Sequence, residues 1–339
     1  MQKIFIAILL LASFCATSQI EQHKIGEVTL EVYLPPNYYS GNVYPVVYAN
    51  DGNWLFGNNS WRLNENLDEW IKSELIDPVI FVAIAPPGRR ESNLIPYDDP
   101  TITGYSPKAD EYTTLIVEKI IPFIESKYAT SDQRAIMGSS FGGLHSTYAG
   151  IKYPEVFSFV IAQSPSYWVN EFEIHTETIA KGNQSIWIDI GTKDWDDVLT
   201  MYYTLSKAGF VPGKNLFYYE DINGTHSGTS WSKRLKYPLI LFTKGADSEI
   251  ASFDLKTEYI PSVQRKGHYF SRINPVVTLK NGLMFTSIPL IFSTKEGNAE
   301  VSPYGSFKIQ EGTSDEVSGE YSGEKASMKV KWKDNPMND

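Results

Sequence analysis

The stretch Arg134-Ala135-Ile136-Met137-Gly138-Ser139-Ser140-Phe141-Gly142-Gly143 decides the fold. Residues 134–137 read as a short strand and residues 141–152 as a helix, and between them Gly138-Ser139-Ser140-Phe141-Gly142 fits G-x-S-x-G. A strand that turns at once into a helix holds the central serine in a strained backbone conformation, and the flanking glycines leave room where side chains would clash. The hydroxyl of Ser140 is then presented at the top of a sheet. The pentapeptide alone is weak, because Gly- and Ser-rich turns are common; its position between strand and helix gives it meaning. Ser139 is the rival, but the glycine frame centres on Ser140.

Outward from this turn the chain alternates. Residues 28–34 and 43–49 read as strands, residues 61–75 as a helix carrying Leu63, Leu67, Trp70 and Ile71, and the apolar run 79–85 as a strand buried on both faces. A Pro-, Gly- and charge-rich loop over 86–107 is long enough to form part of a site. A helix over 110–128 follows. Beyond the turn, strands at 157–162, 185–190 and 216–220 alternate with helices at 198–208 and 230–243. Such alternation predicts a mostly parallel sheet covered on both faces. After residue 245 the texture changes. Asn281-Gly282 between two apolar runs is a strong hairpin signal, and 306–310 and 328–332 also read as strands, so residues 246–339 form a small β-rich module.

The totals limit the functions available. A formal net charge of −10 disfavours contact with nucleic acid or an anionic membrane surface. Residues 1–18 read as a signal peptide: Lys3, an apolar run over 4–14 and Ala16-Thr17-Ser18, with cleavage before Gln19. That run falls well short of the roughly 20 apolar residues needed to span a bilayer. It predicts a secreted or periplasmic protein. Cys15, the one cysteine, lies inside this segment; the bulky Phe14 before it disfavours a lipid anchor there, and cleavage before Gln19 leaves the mature chain without a thiol. No HExxH, paired cysteines or phosphate-binding glycine loop suggests a metal or cofactor.

A serine hydroxyl needs a base to accept its proton. Of the five histidines, His226 follows the last predicted strand of the alternating region, in Asn223-Gly224-Thr225-His226-Ser227-Gly228, where a turn can carry an imidazole over the sheet edge. The acid belongs on the loop after the preceding strand, where Gly191-Thr192-Lys193-Asp194 makes Asp194 the choice; Asp196, Asp197, Glu220 and Asp221 compete. An oxyanion needs preorganised donors, for which the backbone N–H of Phe141 and that of Gly52 or Asn53 are candidates. Loop residues Trp54, Tyr97, Tyr167, Trp168, Trp195 and Arg89 are candidates for substrate contact.

With these residues in place, the chain resembles the esterase family of α/β-hydrolases that includes feruloyl and carbohydrate acetyl esterases, siderophore trilactone hydrolases, S-formylglutathione hydrolase and mycolyltransferases. The resemblance rests on 46–53 with its Asp-Gly turn, on Ile120-Ile121-Pro122-Phe123, on the elbow 138–143, on Tyr153-Pro154-Glu155-Val156-Phe157 and Ser164-Pro165-Ser166, and on Gly191-Thr192-Lys193-Asp194 and Gly224-Thr225-His226. It covers residues 25–245; the β-rich module matches nothing in it. It implies ester hydrolysis through an acyl-enzyme, with Ser140, Asp194 and His226 as a triad, on acyl esters of polysaccharide or on ester-linked siderophores. An acyltransferase would use the same residues, and a non-catalytic carbohydrate-binding protein could keep the same fold.

Overall fold

The structure, a computed structural model, describes residues 18–332 apart from 40, 58–60, 181–182, 195–196 and 262–268. The expected signal peptide therefore lies outside the described residues, save Ser18, as does Trp195. Eight strands form one sheet in the order β1-β2-β4-β3-β5-β6-β7-β8. They are β1 (Gln19–Ile25), β2 (Val28–Leu34), β3 (Tyr44–Ala49), β4 (Ile80–Ala85), β5 (Thr130–Ser139), β6 (Phe159–Gln163), β7 (Ser185–Gly191) and β8 (Leu216–Asp221). The β1–β2 and β2–β4 pairs are antiparallel and the rest are parallel. The mostly parallel sheet is what the alternation predicted, and the α/β-hydrolase fold is what the resemblance implied.

Alternate residues of each strand feed opposite cores. Val46, Tyr48, Val82, Ile84 and Ile136 point to one face, where they meet Leu144 and Ala149 of helix α5 (Phe141–Lys152) and residues of α3 (Ala109–Leu115) and α4 (Ile121–Lys127). Val47, Ala49, Phe81, Ala83 and Met137 point to the other, where α1 (Leu63–Lys72) and α9 (Lys236–Lys244) cover them. With both faces buried, the central strands can be apolar throughout, which is why residues 80–84 read as an unbroken run. The remaining helices are the short α2 (Arg90–Leu94) and α6 (Val169–Phe172), then α7 (Leu199–Lys207) and α8 (Gly228–Arg234).

Three details differ from the sequence reading. Strand β1 was not expected, because Gln19–Ile25 alternates only weakly and remains an exposed edge held by pairing along β2. The helix expected over 110–128 contains a π turn, Ile116–Ile120, between α3 and α4. Pro122 has no N–H to continue the ladder, and the widened register just before it absorbs that loss. The single helix expected over 230–243 is two, α8 and α9, joined at Leu235.

After Lys244 the chain forms antiparallel sheets from β9 (Ile250–Pro261), β10 (Tyr269–Leu279), β11 (Met284–Thr286), β12 (Phe292–Thr294), β13 (Ala299–Val301), β14 (Phe307–Ile309), β15 (Ser314–Tyr321) and β16 (Glu324–Lys331). The Asn281-Gly282 turn joins β10 to β11, with Gly282 at φ 86°. These sheets share a core with the main one: Val277, Leu279, Leu283 and Phe285 pack in the cluster that holds Trp187 and Phe217. Arg272 of β10 is ion-paired with Glu220 of β8. The C-terminal strands are thus a wall of the same body.

Candidate active site

Ser140 stands between β5 and α5 with φ 57° and ψ −122°, a conformation that a side-chain-bearing residue adopts only under constraint. The constraints are visible. The Ser140 amide donates to the Gln163 carbonyl at 3.0 Å, and its own carbonyl accepts from Leu144 at 3.0 Å and Ser166 at 3.1 Å. A Cβ on Gly138 would lie 2.3 Å from the Gly142 carbonyl oxygen, and one on Gly142 would lie 2.8 Å from Asp51 Oδ2. A side chain at 138 would strike the backbone of the turn, and one at 142 would displace the Asp51 carboxylate. The Ser140 hydroxyl lies 3.2 Å from that of Ser166.

The loops after β7 and β8 are joined to each other. Thr192 donates to the Asp221 carbonyl and Lys193 to that of Gly224, each at 2.9 Å, while the Asn223 amide donates to Thr192 Oγ1 at 2.8 Å. This backbone seam brings Asp194 and His226 together: His226 Nδ1 is 2.9 Å and 3.1 Å from the two carboxylate oxygens of Asp194. The Asp194 side chain is fully buried and the imidazole 15% exposed. Because a carboxylate only accepts, Nδ1 carries the proton and Nε2 is left as an acceptor.

The competing acids have other partners. Asp197 receives the amides of Leu199 and Thr200 at the start of α7. Glu220 faces Arg272. Asp221 and Asp189 face Arg234, and Asp189 also receives the Trp187 indole N–H. Burial raises the pKa of Asp189 against the pull of that arginine. Asp196 lies outside the described residues. His145 is buried against Thr113 and His23 bonds to Tyr128, so neither approaches the cleft.

Ser140 and His226 line one cleft of about 520 Å³ together with Asp51, Trp54, Trp61, Arg90, Ser139, Gly228, Thr229 and Trp231. Asp51 is left-handed (φ 61°) and leads into a tight turn over Gly52–Trp54. Gly52 is pressed onto β4, where a Cβ would sit 2.7 Å from the backbone of Ala83 and Ile84. Asn53 is exposed beside it, and Phe141 opens α5, where the first amides of a helix have no intrahelical acceptor.

Several expected contact residues are elsewhere. Arg89 is turned outward to Glu91 and the Gly104 carbonyl; its neighbour Arg90 enters the cleft instead, gripping both oxygens of Asp51 at 2.6 Å and reaching the Ser139 carbonyl at 3.3 Å. Burial opposes the charge of Arg90, but the bonds and charge of Asp51 outweigh it and raise its pKa. Tyr97 and Tyr167 are buried, their hydroxyls committed to Glu177 and to Thr147. Trp168 packs on the Phe141 ring, 5.9 Å between centroids, and does not line the cleft. Trp54 does line it and is 59% exposed. Trp61 and Trp231, which the sequence reading did not single out for substrate contact, also line it and pack on each other with centroids 5.7 Å apart. Trp231 stands in the first turn of α8, five residues beyond His226, which is the one local signal that could have suggested it.

Among the described residues no helix is long and apolar enough to cross a membrane, and no cluster of three or more His, Cys, Asp or Glu side chains could hold a metal ion.

Comparison with known proteins places the chain in a family. The chain is 28% identical over 185 residues to YbbA, an uncharacterized protein of Bacillus subtilis, covering 52% of this chain and 72% of that one. It is 32% identical over 187 residues to the siderophore enterobactin esterase of Emericella nidulans, covering 48% of this chain and 61% of that one. Among solved structures, the siderophore hydrolase EstA from Aspergillus nidulans superposes with a TM-score of 0.54 at 22% identity, over 72% of this chain and all of that one. The feruloyl esterase module from Clostridium thermocellum, complexed with sinapinate, gives 0.52 at 19% identity, over 67% and 88%. At those identities the likeness is one of fold. Residues 24–242 match the family model described as "Putative esterase", and the chain belongs to that family of carboxylic-ester hydrolases.

Proposed function

We propose that the protein is a secreted serine esterase that works through an acyl-enzyme. Ser140 Oγ attacks the ester carbonyl while His226 Nε2 takes its proton, and Asp194 holds the imidazole tautomer and stabilises the imidazolium. His226 then protonates the departing alcohol. Water, deprotonated by the same imidazole, attacks the acyl-enzyme and releases the acid and Ser140. The carbonyl oxygen, negative in each tetrahedral intermediate, is received by the N–H of Phe141 and that of Gly52 or Asn53; each such donor contributes on the order of 3 kcal/mol to catalysis. The observation that carries this reading is the bond between Asp194 and His226, whose imidazole lines the cleft that also holds Ser140 at φ 57°.

For substrate we favour an aryl acyl ester on a polysaccharide. The cleft walls include Trp54, Trp61 and Trp231, which suit a planar phenolic acyl group. Arg90, the one arginine or lysine among the described lining residues, is already neutralised by Asp51, a poor provision for a highly anionic ferric complex. A siderophore trilactone is the second reading, favoured by the 32% identity to an enterobactin esterase. Turnover of feruloylated arabinoxylan, acetylated xylan and a ferric trilactone, compared at equal enzyme, tests the choice: the feruloyl ester should be cleaved fastest, and preferential cleavage of the trilactone would reverse it. Export fits this role. Cleavage before Gln19 would leave all seven residues of β1 in place, and the division at residue 245 would then separate the catalytic unit from a β-rich cover.

A further inference from the structure

Arg234 is a charged side chain with only 1% exposure, set beneath the candidate active site. It ends α8, the helix that begins two residues after His226, and turns back under the sheet's C-terminal edge. Its Nε donates to Asp189 Oδ1 at 2.6 Å in β7, and its Nη2 donates to Ser164 Oγ at 2.6 Å, just past β6. Its Nη1 is 3.7 Å from Asp221 Oδ2 at the end of β8. One guanidinium thus touches three adjacent strand ends, two of which launch the loops bearing Asp194 and His226.

Ser164 is the branch point. It is buried, held at φ 40°, and fixed by its amide to the Asp189 carbonyl at 2.8 Å. Besides Arg234, its hydroxyl accepts the Trp231 indole N–H at 2.9 Å. The Trp231 ring stands at 79° to the His226 imidazole, 4.9 Å between centroids. The Trp231 carbonyl is held as well, accepting from Gln163 Nε2 at 3.1 Å, and that same nitrogen reaches Asp189 Oδ2 at 3.3 Å.

A buried ion pair is weak evidence for stability, because removing two charges from water offsets most of their attraction. Such groups are more readily explained by the geometry they impose. Here the polar chain from Asp189 through Arg234 and Ser164 ends on an aromatic ring that meets the imidazole in a T-shaped contact. Asp194 fixes the Nδ1 edge of that imidazole, and the Trp231 ring bounds its plane, limiting tilt out of line with Ser140.

We infer that Ser164 and Arg234 are positioning residues for the His226 imidazole, acting through Trp231. The inference rests on His226 being the base for Ser140. Ser164 does not line the cleft, so removing its hydroxyl leaves substrate contacts intact.

The test compares Ser164→Ala, Trp231→Phe, the double variant and Ser140→Ala on p-nitrophenyl acetate. In Ser164→Ala, kcat should fall about tenfold with KM within about twofold, the pattern of lost transition-state alignment. Trp231→Phe keeps a ring but loses the anchor, so its kcat should fall similarly and the double variant should be no worse than the poorer single one. Unchanged kcat in Ser164→Ala, even with a lowered Tm, would overturn the inference, as would fully additive losses. Should Ser164→Ala fail to fold, Trp231→Phe decides alone: wild-type kcat rejects the proposal. Activity retained by Ser140→Ala would instead reject the serine mechanism, so the two failures are distinguishable.

Discussion

A Cβ added to Gly191 would lie 2.3 Å from the carbonyl carbon and oxygen of Gly224. The two glycines put the backbones of the loops that carry Asp194 and His226 in direct contact, and the 2.9 Å bond from Lys193 to the Gly224 carbonyl continues that contact toward Asp194. The spacing between Asp194 and His226 is therefore set by backbone rather than by flexible side chains.

Gly191→Ala should push these loops apart. Overpacking of this kind costs about 1–3 kcal/mol, and a displacement of about 1 Å can lower activity by roughly 100-fold. Thermal melting and kcat measured on the same preparation check it; a variant with normal kcat would show that the seam does not set the pair.

Asp194→Asn should reduce kcat by roughly 10³–10⁴-fold, because an amide can hold the imidazole in the wrong tautomer. Asp197→Ala, which removes only the acceptor at the start of α7, should leave kcat nearly intact and cost about 1 kcal/mol. The reverse pattern would transfer the acid's role to Asp197.

Much of this arrangement was legible in the sequence. The strands were readable because burial on both faces demands unbroken apolar runs such as 80–84, and the turn at Ser140 because a Cβ at 138 would strike backbone and one at 142 would crowd Asp51. What escaped was decided by three-dimensional neighbours. Nothing local distinguishes Arg89 from Arg90; the choice is made by Asp51, 39 positions before Arg90. Tyr97 and Tyr167 sit in polar, loop-like surroundings, yet Glu177 and Thr147 draw their hydroxyls inward. The period of the C-terminal strands was visible, but not that their apolar face completes the core around Trp187 and Phe217.

That shared core carries a charge. Arg272→Met would leave Glu220, 2% exposed, without its cation and should destabilise the protein by about 3–5 kcal/mol. Adding Glu220→Leu should recover most of the loss. Urea denaturation midpoints measure both; a single variant as stable as the parent would mean that β10 does not depend on this pair.

Stability should also fall in acid for a reason away from the active site. Burial lowers the pKa of His145 to about 3 from its ordinary 6.5. Below pH 6.5 the unfolded chain takes up a proton that the folded one refuses. The neutral imidazole's contribution, complete above pH 6.5, is thus lost as the pH falls toward 3, by roughly 1.4 kcal/mol per pH unit. His145→Gln, which can keep a bond to Thr113, should flatten the unfolding free energy over this window by about one proton. An unchanged slope would show that His145 titrates normally.

In the proposed mechanism Ser140 forms a covalent acyl intermediate. Incubation with a fluorophosphonate followed by intact-mass and peptide mass spectrometry tests it most directly. One adduct per chain is expected, on Ser140, with loss of p-nitrophenyl acetate turnover in step with labelling and no adduct in Ser140→Ala. An unlabelled Ser140 in an enzyme that still turns over the ester would contradict it.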